Sequence, residues 1–334
     1  MPEDRNISIY SRAFSGPICS LALLLLLPVS VVAEEEIDAR MWLDRMAHAS
    51  QMLNYDGTFI YRNGGRVESM RIIHRRDPDG ERERLVSLNG VAREVIRDPS
   101  RVTCILPDSR SVVVTKSRPR SLMLAQLYGR SDTISKHYKL RGSNGDRVAG
   151  RTTKLVAIQP RDHYRYGYRL SIDEETALLL RSELVAGDGI GLEQIIYTSI
   201  ALPEIIPDEL LRPGISDEGF KRISSEPRTA SGTAASGMNW STDWLPDGFV
   251  MGERTEDPGK LGRRPVEQMV YTDGLASLSV FIERLEATSE RLEGLSTMGA
   301  VNAFGRLVDG FQVTVVGEVP AVTVESVAGS VRRQ

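Results

Sequence analysis

The chain of 334 residues has only two cysteines, Cys19 and Cys104. Cys19 falls in an N-terminal leader, so the mature chain keeps Cys104 alone and no intramolecular disulfide can staple the fold. Stability must come from packing. Cys104 lies in the alternating run Val102-Thr103-Cys104-Ile105-Leu106, where a small buried thiol is expected rather than a reactive one. Histidines are scarce too. His48, His74, His137 and His163 fall in separate elements without His-x-x-x-His or Cys-x-x-Cys metal spacing. No Gly-x-Ser-x-Gly elbow and no phosphate loop occurs. Gly187-x-Gly189-x-Gly191 lacks a following helix that could present its N-terminus to phosphate, and reads as a hairpin. The acidic run Asp173-Glu174-Glu175 falls in a turn between strands, where solvated charge is the ordinary explanation. Active sites need grouped titratable side chains, so the sequence points away from an enzyme and calls for no metal or cofactor.

Long hydrophobic runs are equally rare, and the one present is informative. Leu21-Ala22-Leu23-Leu24-Leu25-Leu26-Leu27 follows Arg5 and Arg12 and is closed by Val31-Val32-Ala33, the pattern of a cleavable signal peptide. A spanning helix needs about 20 apolar residues, and Pro28 and Ser30 interrupt this one sooner; an uncleaved anchor is the alternative. Cleavage after Ala33 makes residues 1–33 the leader and puts the mature chain outside the cytoplasm, away from ATP and nucleic acid. The formal charge of −3 hides an asymmetry: residues 34–182 hold 27 basic and 20 acidic side chains, residues 183–334 hold 13 and 23. The halves can therefore attract each other or meet partners of opposite sign. Arginines crowd between Arg62 and Arg120, a surface suited to anionic lipid or phosphorylated sugar, or simply a solvated strand face.

Ala39, Trp42, Leu43, Met46, Ala47, Ser50 and Leu53 recur at helical spacing and predict an amphipathic helix over 37–53. Short strands follow at 58–62, 67–75, 84–88, 91–97, between Asp98-Pro99-Ser100 and Pro107-Asp108-Ser109, and at 111–116, with a hairpin expected at Asn89-Gly90. A short helix over 122–127 precedes strands at 151–159, 164–172, 177–185 and 192–199. Such closely spaced hairpins predict one large curved antiparallel sheet, since parallel crossovers would need long helical returns. On the 164–172 strand Tyr164, Tyr166 and Tyr168 would share one face, either lining the core or forming a groove wall. Prolines at 203, 207, 213 and 227 and the small polar tract 229–237 predict a flexible linker. The domains are thus expected at 34–205 and 239–334, with a linker over 206–238. The second carries strands at 269–272, 278–284 and 311–316 and a closing helix over 323–333 capped by Thr323.

Several tracts in this order resemble the RseB/MucB family of periplasmic negative regulators of the envelope-stress sigma factor. They are Ala49-Ser50-Gln51-Met52-Leu53-Asn54-Tyr55, Arg93-Glu94-Val95, Arg165-Tyr166-Gly167-Tyr168, Leu192-Glu193-Gln194, the run from Met238 through Trp240 and Trp244 to Phe249, and Thr314-Val315-Val316-Gly317-Glu318-Val319-Pro320. The resemblance implies an α+β fold: a large N-terminal LolA/LolB-like half-open antiparallel β-barrel with covering helices, plus a smaller C-terminal mixed α+β domain. It implies a periplasmic protein that binds the periplasmic region of an RseA/MucA-like transmembrane anti-sigma factor. That binding shields the anti-sigma factor from site-1 proteolysis until lipopolysaccharide or its lipid A part releases it.

Relatives carry a Trp-apolar-Asp tract after the tyrosine-rich strand, where this chain reads Ser171-Ile172-Asp173. The partner surface is nevertheless expected in that neighbourhood, at Tyr166, Tyr168, Ile172 and Gln194. Arg93, Arg97, Arg118 and Arg120 are expected to rim a lipid cleft, and Trp240 and Trp244 to pack the small domain. A periplasmic lipid or lipoprotein carrier and a periplasmic hydrolase stand as alternatives, and self-association is left open.

Overall fold

The computed structural model describes residues 38–117, 131–225, 240–257, 266–285 and 291–334. The leader, the helix expected over 122–127, Arg118, Arg120 and the small polar tract 229–237 lie outside them. Helix α1 (Ala39–Met52) starts where the Asp38 side chain accepts hydrogen bonds from the Arg40 and Met41 amides at 2.9 and 3.2 Å, an N-cap that offsets part of the helix end's unmet bonding. Ala39, Trp42, Leu43, Met46 and Ala47 are buried at the expected spacing; Ala49 joins them, while Ser50 and Leu53 are half-buried. The opposite side keeps Arg40 and Arg45, and Arg45 lies over the Trp42 ring.

After α1 the chain is nearly all strand. β1 (Tyr55–Asn63), β2 (Arg66–Asp77), β3 (Gly80–Ser87), β4 (Glu94–Arg97), β5 (Arg101–Leu106) and β6 (Ser111–Lys116) run as a meander. Helix α2 (Ser131–His137) leads into β7 (Tyr138–Asn144), β8 (Thr153–Pro160), β9 (Gly167–Asp173), β10 (Leu179–Val185) and β11 (Gly191–Ala201). Helix α3 (Asp208–Leu211) and β12 (Lys221–Ser225) complete the sheet, whose order is β12-β6-β5-β4-β3-β2-β1-β11-β10-β9-β8-β7. Every pairing is antiparallel except β12 with β6. Register shifts at Thr58/Phe59, Leu179/Arg181 and Leu184/Val185 interrupt the ladder, and such bulges bend a sheet. The two ends, β12 and β7, do not pair, so the barrel stays open.

Register assigns the faces. Tyr55, Phe59, Met70, Ile72, Leu184, Tyr168, Leu170, Ile172, Val156 and Ile158 all fall on the side that α1 covers. Gln194, Arg181, Arg169 and Ser171 fall on the other.

Three expectations change in the large domain. The Asn89-Gly90 hairpin is looser than read: β4 starts at Glu94 rather than Val91, and the Asn89 side chain instead accepts from the Ser69 amide at 2.6 Å. The strand expected from Tyr164 begins at Gly167, because Asp162 caps a turn by accepting from the Tyr164 amide at 2.9 Å. Most of what was read as linker from 206 to 225 is built structure. It crosses the sheet face opposite α1, buries Ile206 and Leu211 against Ile73, and adds β12 to the edge. Fully buried Glu94 anchors this strap by accepting from the Gly214 and Ile215 amides at 3.0 Å, and it also pairs with Arg84. Prolines there shape an extended strap, which their frequency alone does not distinguish from a linker.

The smaller domain holds β13 (Trp240–Thr242), β14 (Val250–Asp257), β15 (Val266–Thr272), β16 (Ser277–Arg284), β17 (Gly294–Met298), β18 (Val301–Val308) and β19 (Phe311–Gly317). Six of these form a sheet in the order β14-β15-β16-β19-β18-β17. Helix α4 (Ala321–Ser330) packs Val324, Val327 and Ala328 into the same core as Trp240, Met269, Val280 and Val313, so Trp240 is the packing residue it was expected to be. The helix is shorter than read. It starts after Pro320 without a side-chain cap, Thr323 donates instead to the Tyr164 carbonyl at 2.7 Å, and residues 331–333 form β20 against β13. Residues 36–334 make one compact unit, and Leu275 and Ala300, from two turns of the smaller domain, complete the core beneath α1.

Candidate functional site

The two domains meet around the tyrosine-rich segment. Arg165 reaches out of the large domain into the small one, where its guanidinium is wholly buried. It donates to Asp273 at 2.6 Å and to the Asp247 carbonyl at 2.6 Å, and it pairs with Asp162 at 3.0 Å. The faces of Tyr138 and Phe249 flank it. Tyr138 donates to the same Asp273 carboxylate at 2.9 Å, and burial, then the Asp273 charge, pushes its hydroxyl far above the ordinary range. Asp273 in turn accepts from the Leu275 and Ala276 amides at 2.8 and 2.7 Å. All its lone pairs are engaged, which is the condition under which a buried ion pair is tolerated.

A second polar cluster spans the junction. On the large domain Glu193 accepts from Tyr61 at 3.0 Å and from Asn63 at 2.5 Å. Asn63 packs against Gly299, whose φ of +63° and lack of a side chain both suit that approach; a Cβ there would collide with the Asn63 amide. On the small domain Asn302 donates to Tyr166 at 3.1 Å and to the Val319 carbonyl at 2.8 Å. Glu318 accepts from Tyr168. Burial first, then the Glu193 charge, pushes Glu318 up to about 7. Burial also raises Tyr168, with Glu318 adding to the shift.

The expected partner residues divide. Tyr166 and Tyr168 point their hydroxyls into this junction. Ile172 is wholly buried under α1 and offers nothing to a partner as the domains stand. Gln194 lies on the opposite face of the sheet, where its amide, once turned so that the oxygen faces Arg181, accepts from that guanidinium at 2.9 and 3.0 Å. Ser171 shares that opposite face, and Asp173 there is held by Arg151 at 2.9 Å.

Of the rim arginines, Arg93 donates to Glu68 at 2.5 Å and Arg97 to Ser117 at 3.4 Å. By register both lie on the α1 side of the sheet, beside half-buried Leu85, Val95, Val102, Cys104 and Val113 and exposed Ile223. Burial pushes the Cys104 thiol up, so it is no ready nucleophile.

Sequence reading missed Arg165, Asp273, Glu193, Glu318 and Asn302 as junction residues. Three of them lie inside the tracts that carry the family resemblance: Arg165 in Arg165-Tyr166-Gly167-Tyr168, Glu193 in Leu192-Glu193-Gln194, and Glu318 before Val319-Pro320. The order of these tracts was visible; their convergence on one junction was not.

Comparison with known proteins agrees with this architecture. The profile of the MucB/RseB N-terminal domain matches residues 38–215, and that of the MucB/RseB C-terminal domain matches residues 234–332. The sigma factor AlgU regulatory protein MucB of Pseudomonas aeruginosa is 34% identical over 326 residues, covering 94% of this chain and 96% of its own. The sigma-E factor regulatory protein RseB of Haemophilus influenzae is 28% identical over 94% of this chain and 96% of its own. A crystal structure of MucB in complex with MucA(peri) superposes with a TM-score of 0.69 at 31% identity, covering 89% of this chain and 99% of that one. The Pseudomonas aeruginosa MucA/MucB complex gives a TM-score of 0.71 at the same identity and coverage.

Proposed function

This chain belongs to the MucB/RseB family, and from that premise we propose that it binds the extracytoplasmic part of a transmembrane anti-sigma factor and so restrains an envelope-stress sigma factor. The observation that carries the reading is the match along nearly the whole chain to a sigma factor regulatory protein whose structure is recorded with MucA(peri) bound. The role is one of binding, with no bond made or broken. The chain works in the periplasm after export by the leader at residues 1–33. Its grip shields the anti-sigma factor from site-1 proteolysis, and lipopolysaccharide or lipid A relieves that protection. Two features support the finer points. The junction of the two domains offers tyrosine tips and carboxylates to an inserted segment. The α1 side of the sheet offers half-buried apolar side chains beside Arg93 and Arg97, a combination that suits acyl chains and a phosphate. Two ligands that favour different arrangements of the domains antagonise each other reciprocally.

A protease-protection assay tests the reading. The periplasmic segment of the cognate anti-sigma factor is incubated with its first protease, with and without the purified chain, and then with lipopolysaccharide. The expected result is protection by the chain and its loss on adding lipid. Absence of binding and protection, together with uptake of a fluorescent fatty acid, would replace this reading by a lipid carrier.

A further inference from the structure

The outer face of the large sheet, opposite α1, is not uniform in charge. On β2 and β3 every arginine that register places on that face is matched. Arg71 pairs with Asp56, Arg75 with Asp77 and Asp208, Arg82 with Asp77, and Arg84 with buried Glu94. The strap crosses this part as well.

The part formed by β7 to β11 and β1 carries a surplus of cations. Register places Arg141, Ala157, Arg169, Glu183, Gln194 and Arg62 in one line across six neighbouring strands. Lys139 lies two residues from Arg141 and Arg181 two from Glu183, and a period of two puts both on the same face. Apart from Asp56, which Arg71 matches, the carboxylates of this face are Asp173 and Glu183, both buried. Arg151 takes Asp173 at 2.9 Å. Glu183 lies between Arg169 at 3.4 Å and Arg181 at 3.3 Å, and one carboxylate cannot neutralise two guanidinia. Among the described residues Arg62, Lys139 and Arg141 have no acidic partner.

Spacing decides what such a face takes. Strands about 4.8 Å apart set Arg141 about 10 Å from Arg169 and Arg169 about 14 Å from Arg62. A single phosphate calls for guanidinia that converge on it. These stand apart in a line about 24 Å long, which suits separate anions side by side. Exposed Ile190 lies in the turn whose Gly189 carbonyl accepts from Arg169 at 3.3 Å, so an apolar side chain accompanies the cations.

We propose that this face docks on an anionic phospholipid bilayer, its cations meeting the phosphates of different lipids. The docking does not rest on the anti-sigma reading. It uses the side of the sheet opposite Arg93 and Arg97, so a chain lying on the membrane keeps its α1 side turned to solvent. Each Lys or Arg held near such a surface strengthens attachment about fivefold. The attraction is screened by salt, with a Debye length of about 8 Å at physiological ionic strength.

Vesicle co-sedimentation tests the proposal. Residues 34–334, which hold the compact unit, are spun with vesicles of phosphatidylcholine and phosphatidylglycerol in equal parts, or of phosphatidylcholine alone. Neither anti-sigma factor nor lipopolysaccharide is added. Binding should occur with the mixed vesicles only and be lost in high salt. The triple variant Arg62→Gln, Lys139→Gln, Arg141→Gln should bind about 100-fold more weakly. Removing three charges on the α1 side, with Arg66→Gln, Arg93→Gln and Arg97→Gln, should leave binding near wild type. Circular dichroism confirms folding. If the first triple variant does not fold, Lys139→Gln with Arg141→Gln, at two exposed positions, decides through a loss of about 25-fold. Equal binding to both kinds of vesicle, a larger loss from the α1-side variant, or capture of poly-aspartate without capture of vesicles overturns the proposal.

Discussion

Strands β8–β10 and strands β3–β6 belong to one sheet and carry a similar apolar alternation, yet their α1-facing sides differ. Val156, Ile158, Leu170 and Ile172 are wholly buried under α1 and the two inserted turns of the small domain. Leu85, Val95, Val102 and Cys104 face the same way and remain half-buried. Strand composition does not separate the two regions. The difference among the described residues lies in what is laid upon them: an amphipathic helix and two turns of the second domain on one, neither on the other. Among the described residues the inner face of the half-open barrel thus divides into a fastened part and a part that keeps half-buried apolar side chains.

The fastened half depends first on its ion pair, and breaking that pair has the largest expected effect. Arg165→Ala leaves Asp273 charged and buried, and should destabilise the chain by about 3–5 kcal/mol in denaturant melts. A loss below about 1 kcal/mol would show that the junction contributes little to stability. The two halves can next be compared directly by truncation. Leu170→Ala removes contacts from a closed core and should cost about 2–5 kcal/mol. Val95→Ala on the open half should cost no more than about 1 kcal/mol. Equal costs would mean that both halves are packed alike in solution.

The smallest effect concerns acid. Burial pushes Asp173 upward, but Arg151 and the Thr176 hydroxyl and amide more than offset it, leaving the carboxyl below its ordinary value. Its contribution is therefore present above the unfolded value near 4 and is lost as pH falls through the lowered folded value. Melting temperature should drop less steeply below about pH 4 in Asp173→Asn than in wild type. Parallel curves would remove Asp173 from the account. The shift at Glu318 has the opposite sign: burial first, then the Glu193 charge, pushes it up to about 7.

Local pattern carried much of this far. The spacing of Trp42, Leu43 and Met46 predicts α1, and the turn residues predict a meander. Trp240 and Trp244 pack the small domain's core as expected. These succeed because their causes are local: periodicity, capping and turn chemistry act over a few residues. The failures have a common cause as well. Asn89-Gly90 carries a strong turn signal, yet Asn89 is taken up by the Ser69 amide on β2. Prolines from 203 to 213 read as a linker because the partner that orders them, Glu94, lies more than a hundred residues earlier in the chain.

The sequence by itself determined α1, most strands of the large sheet, the presence of a second domain and the family, since each follows from near neighbours or from the order of short tracts. Only the tertiary structure decided which residues meet. Tyr166 and Tyr168 reach the junction while Gln194 turns to the other face, because strand register selects a face with a period of two. Arg165 finds Asp273 across 108 positions, and Glu318 is brought beside Glu193, because packing two domains joins groups that no local pattern relates.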